Sequence, residues 1–301
     1  MADVAERLTP LYQSRAVVAA AILIALALAL KMALFPFHLW LPDAYTYAPS
    51  AVAGLIPPVA TKVAAYVMVR IFLGVFQPSF GFDRVALLPV ISWLAAAGII
   101  YGSVMAIAQN DLRRMLAYSS VSQIAYVGLG LGMGNSMGLI GALLHVVNHA
   151  AMKACLFFVA GTVRQRTGQV QISNLTGLGR TMPWSMAAFT IAALSMIGVP
   201  PAAGFFSKWY LMLGALELAN PWFVTVILLS SLLNAVYFFR VLENIYAKTT
   251  TVPGATVGAE APPAMLAPTL ITAAAVLVLG LANSVIVTQL LMPISESFYG
   301  R

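Results

Sequence analysis

The sequence predicts an all-α, polytopic membrane protein: a single bundle of about eight spanning helices, with broken helices at mid-membrane. Three observations carry that prediction. The chain is 61% hydrophobic and 8% charged, against roughly 25% charged in an ordinary soluble domain. Its mean hydropathy is +0.92. Its apolar residues fall in runs close to the ~20 residues a helix needs to cross a bilayer. Sixteen basic and nine acidic side chains in 301 residues cannot furnish a soluble surface. The single cysteine, Cys155, lies inside an apolar run, so no disulfide framework can form. A net charge of +7 is read as basic loops beside a membrane, not as a nucleic-acid surface. Residues 1–10 are mixed and partly charged and do not read as a signal peptide.

Residues 1–15 read as a loop-like segment, 16–290 as the spans and 291–301 as a short tail, all in one domain. The spans are expected at 16–40, 51–76, 85–108, 116–133, 137–161, 183–216, 221–247 and 264–290. The first contains Lys31 and then Leu34-Phe35-Pro36-Phe37, so a break is expected at Pro36. The second holds Lys62 near its middle, and the fifth holds His145, His149 and Lys153. The sixth is too long for a straight crossing of a roughly 30 Å core. Gly198-Val199-Pro200-Pro201-Ala202-Ala203-Gly204 interrupts it, and a regular helix cannot continue through Pro200 and Pro201. Broken helices at membrane depth are tolerated where freed backbone groups are buried or line a cavity. Transporters use such breaks to build ion sites. The loops are short except 162–182 and 248–263, and the second, rich in Thr, Pro, Gly and Ala, reads as a mobile linker.

Arg113, Arg114, Arg164, Arg166, Arg180 and Lys248 fall on one side of this topology, and Arg7, Arg15, Arg84 and Arg301 on the other. The first set is denser and is expected to be cytoplasmic, which puts both termini outside a bacterial or archaeal cytoplasmic membrane.

Four of the five lysines, Lys31, Lys62, Lys153 and Lys208, lie within apolar spans. A charged lysine at the bilayer centre costs about 2.5–3.5 kcal/mol on insertion scales. Snorkelling of the ammonium to the interface is the structural alternative, but it suits Lys62 poorly. The four are therefore expected to face the bundle interior. His145, His149 and Lys153 are spaced four and four, on one stripe of a helix. Two histidines at that spacing fit three uses: packing by hydrogen bonds, a metal or haem, or a proton relay. A metal lacks its usual confirming ligands, since the span offers no acidic residue and no second cysteine. Imidazole has an ordinary pKa near 6.5 and two exchangeable nitrogens, which favours the relay.

The motifs "KMALFPFHLWLPDAYTYAPSAV", "ATKVAAYVMVR", "QNDLRRMLAYSSVSQIAYV", "HVVNHAAMKACLFFVAG" and "MIGVPPAAGFFSKWYLMLGAL" occur in that order. They resemble the antiporter-like subunits of respiratory complex I and of Mrp-type cation/proton antiporters. The last of them, with "LLSSLLNAVYFFRVLENIY", resembles the D-type component of Mrp antiporters most. The resemblance covers nearly the whole chain and implies a family fold of fourteen helices with two inverted five-helix repeats. It aligns this chain from the seventh helix onward: Lys31 on the seventh, Lys62 on the eighth, His145, His149 and Lys153 on the eleventh, and Lys208 on the broken twelfth. It implies an axis Lys31–Lys62–Lys153–Lys208 in the membrane plane, bridged by the histidines. It also implies a glutamate partner for Lys31 on a fifth helix that has no counterpart here. The chain is thus expected to be a C-terminal portion, partnered by a polypeptide supplying six preceding helices and by other membrane subunits. The implied function is proton conduction, with Na⁺ exchange as its antiporter form. A non-conducting scaffold and a haem-binding oxidoreductase subunit are the competing functions. No catalytic chemistry, cofactor or metal site of the chain's own is expected, and no nucleic-acid partner.

Overall fold

A computed structural model of the chain describes residues 2–246 and 260–300. Most of the linker expected over 248–263 lies outside them, with Lys248 and Arg301. The described residues form a helical bundle without strands. Its main helices are α1 (Arg15–Met32), α2 (Trp40–Tyr47), α3 (Ser50–Gly74), α4 (Leu87–Ile107), α5 (Leu112–Gly132) and α6 (Ser136–Thr167). They continue as α7 (Pro183–Ile197), α8 (Ala203–Glu217), α9 (Pro221–Tyr246), α10 (Pro263–Leu281) and α11 (Met292–Tyr299). Six of these, α1, α3, α4, α6, α9 and α10, are each long and apolar enough to cross a bilayer. The chain is an integral membrane protein.

Helix α5 is the centre of the bundle. Every one of its residues except Arg114 is buried, so a helix buried all round can carry Ser119, Ser120, Ser122 and Gln123 without exposing them to lipid. Its start is capped by Asp111, whose Oδ1 accepts from the Arg114 N–H at 2.9 Å. Asn135 does the same for α6, accepting from the Gly138 N–H at 2.8 Å. Gly168, at φ +69, closes α6 with its N–H on the Arg164 carbonyl at 2.9 Å.

Close approach of α4 to α5 depends on Gly102. A Cβ there would stand 2.6 Å from the Ser122 nitrogen and 3.0 Å from its Cα. Gly102→Ala is expected to push the two helices apart at a cost of about 1–3 kcal/mol. A lowered melting temperature in detergent, with unchanged helix content, is the measurable result.

The sixth expected span is two half-helices. α7 stops at Ile197, Gly198 adopts φ +103, and α8 restarts at Ala203, with Pro200 and Pro201 between them. The loose ends are tied. Ser195 Oγ accepts from the Gly204 N–H at 3.0 Å, and Asn148 Nδ2 on α6 donates to the Ala203 carbonyl at 2.7 Å. At the far end of α7, Glu260 accepts from the backbone N–H groups of Trp184 (2.8 Å) and Ser185 (3.3 Å). A carboxylate there satisfies orphan donors and suits the positive end of the helix.

Several expected boundaries are corrected. The first span is not continuous to Trp40: α1 ends at Met32 and a turn segment containing Pro36 leads into the separate helix α2. The segment expected to be loop-like carries the helix Ala2–Leu8. The expected tail is helical through α11, and Ser295 on it shares a 2.8 Å hydrogen bond with Ser136 at the start of α6. These terminal helices are short and weakly apolar, so periodicity alone does not separate them from loops.

Loops at one end of the bundle lock together. The Leu112 N–H donates to the Val170 carbonyl at 2.9 Å and the Ile172 N–H to the Asn110 carbonyl at 2.7 Å. Arg113 is buried there and donates through Nη2 to the carbonyls of Tyr45 (3.4 Å) and Ala48 (2.5 Å), at the C-terminal end of α2. A cation at that position meets the negative end of the helix dipole.

Candidate functional site

Lys62, His145, His149, Lys153 and Lys208 converge in the interior. His145, His149 and Lys153 are 0% exposed, and Lys62 and Lys208 6%. None of the nine acidic residues is buried, so the cluster is basic and its charges are met by neutral groups only.

Lys62 sits on α3 one turn after Pro57 and Pro58, and its Nζ donates back to the Pro57 carbonyl at 2.7 Å. Lys153 projects from α6 to α5, where Nζ donates to the Leu116 carbonyl at 2.7 Å and to Ser119 Oγ. Lys208 lies on α8, and its Nζ turns back across the break to the carbonyls of Met196 (2.8 Å) and Ile197 (3.0 Å) at the end of α7, and to Ser231 Oγ on α9 (3.2 Å). The ammonium thus caps one half-helix while being carried by the other. A cavity of about 160 Å³ lies against it, lined also by Gly198, Phe205, Trp209 and Ser231.

The histidines stand between these lysines. Their rings stack with centroids 5.6 Å apart. His145 Nδ1 and Ser207 Oγ share a 2.8 Å hydrogen bond, which links α6 to the first turn of α8. The Tyr126 ring is 5.4 Å from that of His145, and Lys208 Nζ is 5.5 Å from the same Tyr126 centroid. Lys62 lies within electrostatic reach of His145, His149 and Lys153, and Lys208 of His145. Both ring nitrogens of His149, and both amide atoms of Gln123 on α5, are buried with no hydrogen-bond partner among the described residues. Buried polar groups of this kind are ordinarily paired.

Lys31 does not join the cluster. It is exposed, because α1 turns Ala21, Ala25, Ala29 and Met32 toward the bundle and Lys31 lies off that stripe. The expectation that all four intramembrane lysines face the interior is corrected at this residue. The region does bury a histidine outside the expected set. His38, 2% exposed, lies in the turn segment after Pro36, 5.5 Å from the Phe35 ring and 4.7 Å from that of Tyr101. A lone imidazole beside a proline in an apolar run is the available signal. Gln123, Asn148, Ser207 and Tyr126 also lie outside that set, for they enter the site from α5, α6 and α8 only once the helices pack.

Comparison with known proteins places this arrangement. Residues 3–234 match the family described as NADH:quinone oxidoreductase/Mrp antiporter, transmembrane. The chain is 50% identical to NADH-quinone oxidoreductase subunit N of Desulforudis audaxviator, over 97% of this chain and 60% of that protein. It is 34% identical to the D component of the Na(+)/H(+) antiporter of Alkalihalophilus pseudofirmus, over 82% of this chain and 49% of that protein. Among solved structures, the Mrp complex of a Dietzia species superposes with a TM-score of 0.85 at 28% identity, covering 94% of this chain and 60% of the matched one. Identity to the quinone oxidoreductase relative exceeds that to the antiporter relative, against the preference for the Mrp D-type component drawn from the motifs. The chain spans about half to three-fifths of the length of these relatives, and the coverage does not by itself support the expected C-terminal portion with six helices missing. The chain belongs to the NADH:quinone oxidoreductase/Mrp antiporter transmembrane family.

Proposed function

We propose that this family member is a proton-conducting subunit of a multi-subunit membrane complex, its protons relayed through Lys62, His145, His149, Lys153 and Lys208. The observation that carries the reading is a buried basic row without a single buried carboxylate. Packing alone is a poor reason to keep it, since each intramembrane ammonium costs about 2.5–3.5 kcal/mol on insertion scales. Ammonium and imidazole are groups that give and take protons, and neither ring nitrogen of His149 is committed to a hydrogen bond among the described residues. The relative with 50% identity is a subunit of an NADH-quinone oxidoreductase, so a complex of that kind is the favoured assembly, and an Mrp-type antiporter the second. The arginine-rich end, with Arg113, Arg114, Arg164 and Arg180, is read as cytoplasmic.

The test is proton flux into vesicles carrying the assembled complex, followed with a trapped pH-sensitive dye. Lys62→Met is expected to lower it to the leak of vesicles without protein. Flux equal to wild type in that variant would remove Lys62 from the route.

Lys31 supplies the partner side of the reading. An exposed ammonium on a membrane-spanning helix calls for a cover that supplies a carboxylate, and the exposed Leu23, Leu26 and Leu30 beside it offer that cover an apolar face. Lys31→Met is expected to weaken assembly with the neighbouring polypeptide while leaving the melting of the isolated chain unchanged. Co-purification yield against melting temperature separates the two. Full assembly in the variant would show that the charge is irrelevant to docking.

A further inference from the structure

One contact ties the histidine row to the restarted half-helix, and it bears on which nitrogen of His145 is free. Ser207 Oγ donates to the Gly204 carbonyl at 3.1 Å and lies 2.8 Å from His145 Nδ1. Both residues are 0% exposed. A serine inside a membrane helix usually disposes of its hydroxyl on a carbonyl one turn back, and Ser207 does so while also meeting an imidazole. Serines elsewhere in the bundle meet one another instead: Ser103 Oγ is 2.9 Å from Ser122 Oγ and 3.0 Å from Ser230 Oγ.

A hydroxyl carries one hydrogen. With that hydrogen on the Gly204 carbonyl, Ser207 Oγ meets the ring with a lone pair, and Nδ1 is the donor. Neutral imidazole carries a single N–H, so Nε2 is then the bare nitrogen. It is buried and has no hydrogen-bond partner among the described residues. The ring turned over would set a carbon against Ser207 Oγ and forfeit the bond. The serine is itself held in place. His145 and Asn148, three apart on α6, meet the first turn of α8 at Ser207 and Ala203, and Asn148 Nδ2 donates to the Ala203 carbonyl at 2.7 Å. Ser195 Oγ accepts from the Gly204 N–H at 3.0 Å. One turn away the backbones come so close that a Cβ at Gly141 would stand 2.7 Å from the Leu211 nitrogen. None of these three restraints uses the Ser207 hydroxyl.

We propose that Ser207 is a positioning residue that anchors His145 through Nδ1, so that His145 takes up and gives back its proton at Nε2. The inference rests on the proton-conducting reading above. Nδ1 is no way through, because the Ser207 hydroxyl donates to a carbonyl, which accepts and has no proton to pass. A proton from an ammonium of the row binds the Nε2 lone pair. The ammonium becomes an amine and the ring an imidazolium, protonated at both nitrogens. The same Nε2–H then leaves for an amine of the row, which becomes an ammonium, and the electron pair stays on Nε2. No atoms are gained or lost. The ring neither flips nor changes tautomer between one proton and the next.

The experiment pairs nitrogen NMR of isotope-labelled histidine rings, on the full chain in lipid bilayers, with proton flux through the assembled complex in vesicles. The chain has three histidines, and His145→Gln identifies the signals of His145. With the ring neutral, wild type is expected to show a protonated Nδ1 and a bare Nε2. Ser207→Ala should shift His145 toward the Nε2–H form and lower flux several-fold, with a melting temperature close to wild type. Ser207→Thr, which keeps the hydroxyl, should recover the wild-type signals and much of the lost flux. A protonated Nε2 and bare Nδ1 in wild type, which needs no variant to fold, would overturn the proposal. So would wild-type signals in Ser207→Ala, the result of a serine that serves packing only, or altered signals with undiminished flux. No flux in wild type would remove the conducting function itself and the relay with it, a result distinct from these because it does not depend on the nitrogen signals.

Discussion

Lys153→Met is expected to abolish proton flux while leaving the melting temperature unchanged or raised. Lys153 is fully buried, and its Nζ is held by the Leu116 carbonyl and by Ser119 Oγ. The Leu116 carbonyl does not depend on it, because Ser119 Oγ donates to it at 2.9 Å and Ser120 Oγ at 3.0 Å. Removing the ammonium therefore orphans no buried acceptor. It does relieve the cost of holding a charge at membrane depth, about 2.5–3.5 kcal/mol on insertion scales. Methionine has similar length and fills the space beside Phe157, over whose ring Nζ stands at 5.9 Å. Function and stability should thus move in opposite directions, as they do where a site is kept for its chemistry. Flux in vesicles and melting in detergent are the two measurements. A variant that melts several degrees lower yet conducts normally would make Lys153 a structural residue.

Lys208→Met should lose flux and melt below Lys153→Met. Its ammonium donates to the Ile197 carbonyl at the break, and it shares the Met196 carbonyl with Asn234. Leaving the part-buried Ile197 carbonyl without this donor costs about 0.5–1.5 kcal/mol, the net worth of a hydrogen bond. Losing a cation at the C-terminal end of α7 adds about 0.3–1 kcal/mol from the helix dipole. These losses partly offset the relief from desolvation, so Lys208→Met is expected to melt below Lys153→Met although both remove a buried lysine. Lys208→Gln keeps a donor for the break and should recover part of the melting temperature, with flux still at the leak. Equal melting of the two methionine variants would show that the break does not rely on Lys208 as its cap.

Much of this site can be read from spacing alone. His145, His149 and Lys153 repeat every four residues, and that spacing puts them on one face of α6 whatever surrounds it. The Pro-Pro pair forbids a continuous helix through 200–201, and a lysine one and a half turns into the restarted helix must lie close to the break. Lys31 shows where spacing stops helping. It sits in a run as apolar as the one around Lys62, yet Lys62 is 6% exposed and Lys31 is exposed. The difference lies in which stripe of each helix meets a neighbour. His38 is a single imidazole, with no periodicity to reveal it.

Composition and residue order are enough to define a helical membrane protein with basic residues at membrane depth and helices broken at prolines. Those properties follow from local chemistry: composition, run length and the missing N–H of proline. Which basic residues meet depends on the packed bundle. The row is assembled from α3, α6 and α8, and the Ser103–Ser122–Ser230 contact from α4, α5 and α9. Such meetings are set by how closely helices approach, here where Gly102 lets α4 rest on α5, and helix approach is a property of pairs of surfaces that no single segment encodes.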